Sequence, residues 1–298
     1  RRILMVSKRR DERMQILVQR ARELGVNLLF ETEVNSAEDY RKDYDLVVAS
    51  DGLNSRTRML YEDTFKPNVE QRLCQFVWLG THQTFADAFT FIFEETEHGW
   101  IWVHAYQFDE DTATFIVECS QATYEAFGFE NMGQEESIRL CEEIFKDHLD
   151  GHSLMTNAKH IRGSAWIKFP RVLCEKWSHG NVVLLGDAAA TAHFSIGSGT
   201  KLALESAIAL ADYLHSETSF EGALQKYEDE RRLEVLRLQS AARNSLEWFE
   251  QVERYLDLDP VQLNYSMLTR SQRISHENLR ERDAKWLESA ERWFMNKA

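Results

Sequence analysis

Apolar residues change their spacing along this chain, and the changes separate its elements. Met14, Leu17, Val18, Ala21 and Leu24 recur every three or four residues, and Gly25 follows them. That spacing predicts an amphipathic helix over 12–24, stopped by glycine. Val26–Phe30 and Tyr44–Ser50 are short apolar runs of the kind buried on both faces of a sheet. Strand and helix in this succession favour a parallel, doubly wound sheet. From Leu73 the pattern shortens. Cys74–Gly80, Ala88–Phe93, Gly99–Tyr106 and Thr112–Cys119 are rich in Phe, Trp, Val and Thr, with polar turns between them. Four such strands without helices predict an antiparallel sheet. Gln134–Leu149 then reads as an amphipathic helix, and Ile161–Arg171 leads back to another buried strand, Val182–Leu185. Helices are expected over 201–214, over the charged stretch 220–253 and over the tail 278–294. The antiparallel sheet is therefore an insertion. The predicted division is 1–70 with 171–250, then 71–170, then a helical segment over 251–298.

Composition narrows the function classes. The chain has 298 residues, a 43% hydrophobic share and a net charge of −14, so a basic nucleic-acid or membrane-surface role is excluded. No apolar run approaches the ~20 residues of a membrane helix, and the opening Arg1–Val6 is too short for a secretory signal. Cys74, Cys119, Cys141 and Cys174 lie far apart without metal-ligand spacing, and read as reduced, mostly buried thiols of a cytoplasmic protein.

Two loops carry candidate chemistry. Gly186-Asp187-Ala188-Ala189 follows the Val182–Leu185 strand, and a small-residue loop with Gly197, Ser198, Gly199 and Thr200 leads into the 201–214 helix. An ionised Asp187 offers only acceptors, which suits sugar-alcohol hydroxyls. The glycines allow close backbone approach, and the helix start presents free N–H groups and positive dipole to an anion. Asp51-Gly52-x-x-Ser55-x-x-Arg58 closes the Tyr44–Ser50 strand. The plain alternatives are a strand-to-helix connection at 186 and an Asp-Gly turn with Ser55 capping a short helix.

Together these strings resemble the class A flavoprotein monooxygenases. In that family Gly-Asp-Ala-Ala binds the ribityl and pyrophosphate side of FAD, and the Asp-Gly motif serves both FAD and NAD(P)H. The resemblance implies cofactor contacts from Asp51, Gly52, Arg58, Gly186, Asp187, Gly197, Ser198, Gly199 and Thr200. Arg10, before the first helix, resembles the family arginine that touches the FAD phosphates. The chain departs from the pattern at Ala190, usually His, and at His193-Phe194, near a usual Pro. It also has no Gly-x-Gly-x-x-Gly turn. This implies an α/β, doubly wound FAD-binding (Rossmann-like) domain that lacks its first βαβ unit, with the inserted antiparallel sheet as substrate domain and helices at the C-terminus. On this resemblance the chain reads as a fragment of a longer protein, in which a further domain can follow Ala298.

Strings such as His104-Ala105-Tyr106, Phe115-Ile116-Val117-Glu118 and His193-Phe194-Ser195-Ile196-Gly197 resemble two groups within the family. These are the salicylyl-CoA 5-hydroxylases with the monooxygenase part of 2-aminobenzoyl-CoA monooxygenase/reductase, and the tryptophan hydroxylase of violacein biosynthesis. Ser198–Glu205, Ala241–Ser245 and Leu268–Arg273 lean towards the CoA group. The implied activity is FAD- and NAD(P)H-dependent hydroxylation by O2 of an electron-rich aromatic ring, carried as a CoA thioester, through a flavin C4a-hydroperoxide. Alternatives are a tryptophan or indole hydroxylase, another flavoenzyme and a flavin-less binding protein of this fold. A base that accepts a phenol or aniline proton would help, and His193, His104 and Tyr106 are the candidates. His193, inside the glycine loop, is favoured, although each lone histidine also reads as a satisfied structural group. Arg270, Arg273, Arg280 and Arg282 are expected to meet CoA phosphates, against an alternative in which they pair with Glu277, Glu281 and Asp283.

Overall fold

The computed structural model describes residues 4–7, 12–85, 88–108, 110–156 and 165–297. Two compact units emerge, each assembled from separate segments of sequence.

The first unit comprises 1–68, 172–191 and 198–236. Leu4–Ser7 runs parallel to Asn27–Phe30, with the Glu12–Glu23 helix as crossover. A parallel pair needs such a crossover because no tight turn can join its strands. The sequence reading put no strand at Leu4–Ser7, since a basic stretch surrounds it. Val47–Ala49 runs parallel to Val182–Leu184, Val47 facing Val182, and Ser178–His179 covers the other edge of Val182–Leu184. Val182, Val183 and Leu184 are wholly buried, as their unbroken apolar run predicted. Tyr227 Oη donates to Leu184 O at 3.0 Å, and the Tyr227 ring meets Trp177 edge to face at 5.7 Å. The Phe220–Glu250 helix therefore holds the strand by its backbone as well as by apolar packing.

The second unit comprises 69–171, 192–197 and 237–298. Its sheet has the antiparallel order Thr90–Thr96, Gly99–Gln107, Ala113–Cys119, Pro67–Thr81, Leu154–Met155. Alternation sorts the side chains. Val77, Leu79, Ile101, Val103, Phe115 and Val117 point to one face, against Tyr124, Cys141 and Phe145 of the helices that follow. Each large apolar side chain fully buried there contributes about 1.5–3 kcal/mol. The opposite face carries Cys74 and Trp102, which pack with Trp248, Phe249 and Val252. All four cysteines are buried free thiols, and burial pushes Cys174 up to about 12, so these are packing groups rather than nucleophiles.

Three helical boundaries differ from the periodicity. The expected Gln134–Leu149 helix divides into Gln134–Ile144 and Lys146–Leu149, because Phe145 leaves helical dihedrals to bury its ring. The tail divides at Asp283, between His276–Arg282 and Ala284–Lys297. Pro260–Thr269 is a helix the periodicity did not reveal; Asp259 accepts from Val261 N at 3.1 Å and Pro260 opens the first turn. No helix among the described residues is long and apolar enough to cross a membrane.

Candidate functional site

In the first unit both loop motifs leave the C-terminal ends of adjacent parallel strands, where doubly wound sheets bind ligands. Leu185 N donates to Ala49 O at 2.9 Å, so the two strands stay paired up to the motifs themselves. Asp51 is a cap. Its Oδ1 accepts from Ser55 Oγ at 2.6 Å and its Oδ2 from Thr57 N at 3.1 Å, while Ser55 Oγ accepts from Arg58 N at 2.9 Å. The capping alternative for this turn is thus present in the geometry. Gly52 beside it takes φ +81°, which a side chain would resist.

Arg58 ties the two motifs together. It is 5% exposed, and its guanidinium donates to Leu53 O, to Ala188 O at 2.9 Å and to Asp187 O at 3.4 Å. Its two terminal nitrogens are engaged by main-chain carbonyls and clamp the Gly186–Ala188 turn, while Nε is buried without a partner among the described residues. On the far side, Cys174 N donates to Ala189 O at 3.0 Å and Val172 N to Thr191 Oγ1 at 2.8 Å. Gly186 takes φ +64°, and a Cβ there would stand 3.4 Å from Ala203 of the Gly199–Ser216 helix.

Asp187 differs from its neighbours. Among the described residues nothing donates to its carboxylate, and burial alone raises its pKa, with no cation to offset it. The residue is nevertheless exposed, so its carboxylate is an unmet acceptor within reach of a ligand. The Gly199–Ser216 helix has no acidic residue in its first turn, which leaves its positive end unopposed. A Cβ at Gly197 or Gly199 would meet no protein atom within 4 Å. The protein itself does not crowd these two positions, which leaves them open to the close approach of a ligand. Gly197 needs glycine for its φ of +59°. An unmet carboxylate acceptor beside the positive end of the helix that starts at Gly199 fits a ribityl–phosphate chain. Arg10 lies outside the described residues.

The second unit holds an aromatic face. Phe194 lies 4.7 Å from Phe76, 5.9 Å from Trp78 and 5.5 Å from His104, ring centre to ring centre. Phe91 and Phe249 close on His104 at 5.2 and 4.6 Å. His104 and Glu118 are each 1% exposed. Glu118 Oε2 accepts from Trp102 Nε1 at 2.9 Å and stands 3.0 Å from His104 Nε2, while His104 Nδ1 has no partner. Tyr106 is set apart from His104 and stacks on Phe89 at 5.1 Å. Arg270 donates to Ser245 Oγ at 3.0 Å, Met267 O at 2.6 Å and Ser195 O at 3.2 Å, and it lies over the Phe91 and Phe249 rings. Burial draws its pKa down to about 10, and it has no carboxylate partner, so it remains an uncompensated cation at neutral pH.

His193 is 4% exposed, and its Nδ1 accepts from Ser195 N at 3.2 Å. That bond places the ring proton on Nε2 and makes His193 a donor. Burial lowers its pKa to about 4. A pKa depressed below that of the unfolded chain means that the unfolded state binds more protons between the two values. Stability is then full above about pH 6.5 and is lost as pH falls towards 4, by on the order of 3 kcal/mol. His193→Gln should remove that part of the acid sensitivity in urea titrations between pH 4 and 7. An unchanged pH slope would show that His193 is not buried as a neutral ring.

Glu118 was missed as a partner by sequence reasoning, because a lone Glu in a strand gives no sign of the histidine across the sheet. The register, with Trp102 opposite Glu118 and His104 two residues on, is the signal that reveals it. The expected arginine group does not form one cluster. Arg270 is buried under rings, whereas Arg280 is neutralised by Glu291 at 2.6 Å and Glu277 at 3.2 Å.

The sequence profile of the FAD binding domain family matches residues 7–242. Salicyloyl-CoA 5-hydroxylase of a Streptomyces species is 38% identical over 293 residues, 95% of this chain and 55% of that protein. Protodeoxyviolaceinate monooxygenase of Chromobacterium violaceum is 31% identical over 87% of this chain and 68% of that one. Thus the chain spans little more than half the length of the first of these relatives. Among solved structures, PqsL of Pseudomonas aeruginosa, described as a probable FAD-dependent monooxygenase, superposes with a TM-score of 0.54 at 23% identity, covering 81% of this chain and 70% of that one; the likeness is one of fold. With its paired loop motifs and this match, the chain belongs to the family of FAD-binding domains and takes FAD as its cofactor, within the class A flavoprotein monooxygenases.

Proposed function

We propose that this protein hydroxylates an electron-rich aromatic ring with FAD, NAD(P)H and O2. The observation that carries the reading is the aromatic face around Phe194, Trp78 and Phe91, which encloses one unpartnered imidazole nitrogen. Flat rings pack against such a surface, and its low polarity keeps water from the reacting carbon. FAD, once reduced, supplies from O2 the oxygen atom that enters the ring. The chain's own groups bind and orient. Asp187 would accept from ribityl hydroxyls, Gly186 and the Arg58 clamp would hold its turn, and the start of the Gly199–Ser216 helix would favour an anionic flavin. His104 would take the substrate's proton. His193 would donate from Nε2, and Tyr106 would bound the pocket rather than act as base.

The substrate we infer is an aryl-CoA thioester of the salicylate or 2-aminobenzoate type. A cavity of about 630 Å³ lined by Arg254, Arg270, Trp248 and Tyr265 suits an anionic, partly aromatic tail, since neither arginine has a carboxylate partner there and the one carboxylate of the lining, Glu247, is held by Arg243 at 2.7 Å. NAD(P)H consumption should rise with salicyloyl-CoA or 2-aminobenzoyl-CoA and not with free salicylate, anthranilate or tryptophan. Stimulation by tryptophan alone would overturn the thioester reading.

Cofactor binding has its own test. Asp187→Ala should weaken FAD binding by about 1.5–3 kcal/mol, the worth of a charge-assisted hydrogen bond. Equilibrium dialysis against FAD reads this directly. Unchanged affinity would remove Asp187 from the flavin site.

A further inference from the structure

We propose that Glu118 is a positioning residue that fixes His104 with its Nδ1 lone pair free as the acceptor of the substrate's proton. This rests on the hydroxylase reading and adds to it a partner for the base. An indole N–H can only donate, so Glu118 Oε2 accepts from Trp102 Nε1 at 2.9 Å. The same oxygen lies 3.0 Å from His104 Nε2. A carboxylate there makes Nε2 the protonated nitrogen and leaves the Nδ1 lone pair bare. Nδ1 is buried and has no partner. Phe91, Phe194 and Phe249 surround the ring, and none of them can donate a conventional hydrogen bond.

A buried acceptor without a donor is costly and is rarely retained without a role. The missing donor is supplied by a ligand in this proposal. A hydroxyl or amino group on the arene meets the need, and an alkyl ether or unsubstituted ring does not. In the proton transfer, the substrate O–H or N–H bond breaks and an N–H bond forms at Nδ1. The electron pair stays on the substrate heteroatom and feeds its ortho and para carbons. The resulting imidazolium is balanced by the Glu118 carboxylate. The other charged or titratable groups facing this site are His193 on the loop, held neutral by burial, Arg72, already engaged by Glu250, and Arg270 over the Phe91 and Phe249 rings. Glu250, the other carboxylate nearby, is committed to Arg72 and to Leu73 N, so Glu118 is the anion that faces the imidazolium.

Two measurements decide it. Nitrogen NMR of the imidazoles in the wild-type chain, assigned with His104→Gln, should show His104 Nδ1 unprotonated and Nε2 protonated near neutral pH, without flavin or substrate. A protonated Nδ1 overturns the proposal. In the flavin-loaded protein, salicyloyl-CoA should bind about tenfold more tightly than 2-methoxybenzoyl-CoA, and Glu118→Gln should lower kcat for salicyloyl-CoA by about 100-fold or more with a smaller change in KM. Glu118→Gln keeps an acceptor for Trp102 and removes only the charge, so a packing role would leave kcat and the Nδ1 signal in place. Equal binding of the two thioesters also overturns the proposal. Failure of every arene to be hydroxylated strikes the hydroxylase reading instead, and the nitrogen spectrum still decides the role of Glu118.

Discussion

Arg58→Met is expected to unfold the Gly186–Ala188 turn and to cost about 3–5 kcal/mol of stability, and, on the proposed cofactor role of that turn, to reduce FAD retention. Arg58 is 5% exposed and donates to the carbonyls of Leu53, Asp187 and Ala188. Removing it leaves buried carbonyls unmet, each worth about 1–3 kcal/mol. Arg58→Lys should recover little, since one ammonium cannot fork between Leu53 and Ala188. Urea denaturation with flavin fluorescence checks both variants. Wild-type stability in Arg58→Met would show that the clamp is not what holds the turn.

A comparable loss is expected in the second unit from Arg72→Met. Arg72 Nη2 lies 2.7 Å from Glu250 Oε2, with side chains 10% and 4% exposed, and Glu250 Oε1 also accepts from Leu73 N at 3.0 Å. Taking away the cation strands a buried carboxylate, which costs about 3–5 kcal/mol. Adding Glu250→Gln should recover much of that, because the pair itself contributes less than its broken half costs. The double-mutant cycle measures the coupling. Additive losses would place Glu250 in solvent contact that the structure does not show.

The cofactor framework was legible in the sequence to the extent that strands and turns are local. Val182–Leu184 announced itself by its unbroken apolar run, and Gly186 and Gly52 by the sharp turns that end parallel strands. The antiparallel sheet was legible through alternation, within a few residues at each end. Side-chain partnerships were not. Arg58 read as a cofactor contact, and its bonds to carbonyls more than a hundred residues away in sequence were not legible at all. His193 read as a base, and the local bond from Ser195 N makes it a donor. Glu118 and His104 meet only through strand register, which no periodicity encodes. The break at Phe145 arises from tertiary packing that overrides helical spacing, whereas exposed Asp283 ends one helix and caps the next by accepting from Trp286 N at 2.9 Å.

The most direct test of the central claim is turnover of the flavin-loaded protein with NAD(P)H and salicyloyl-CoA under isotopically labelled dioxygen, with the product read by mass spectrometry. One labelled oxygen atom in the ring hydroxyl of the product is the predicted result. A ring hydroxyl without label, or reduced cofactor consumed with the thioester returned intact, would contradict the assignment of this protein as an aromatic hydroxylase.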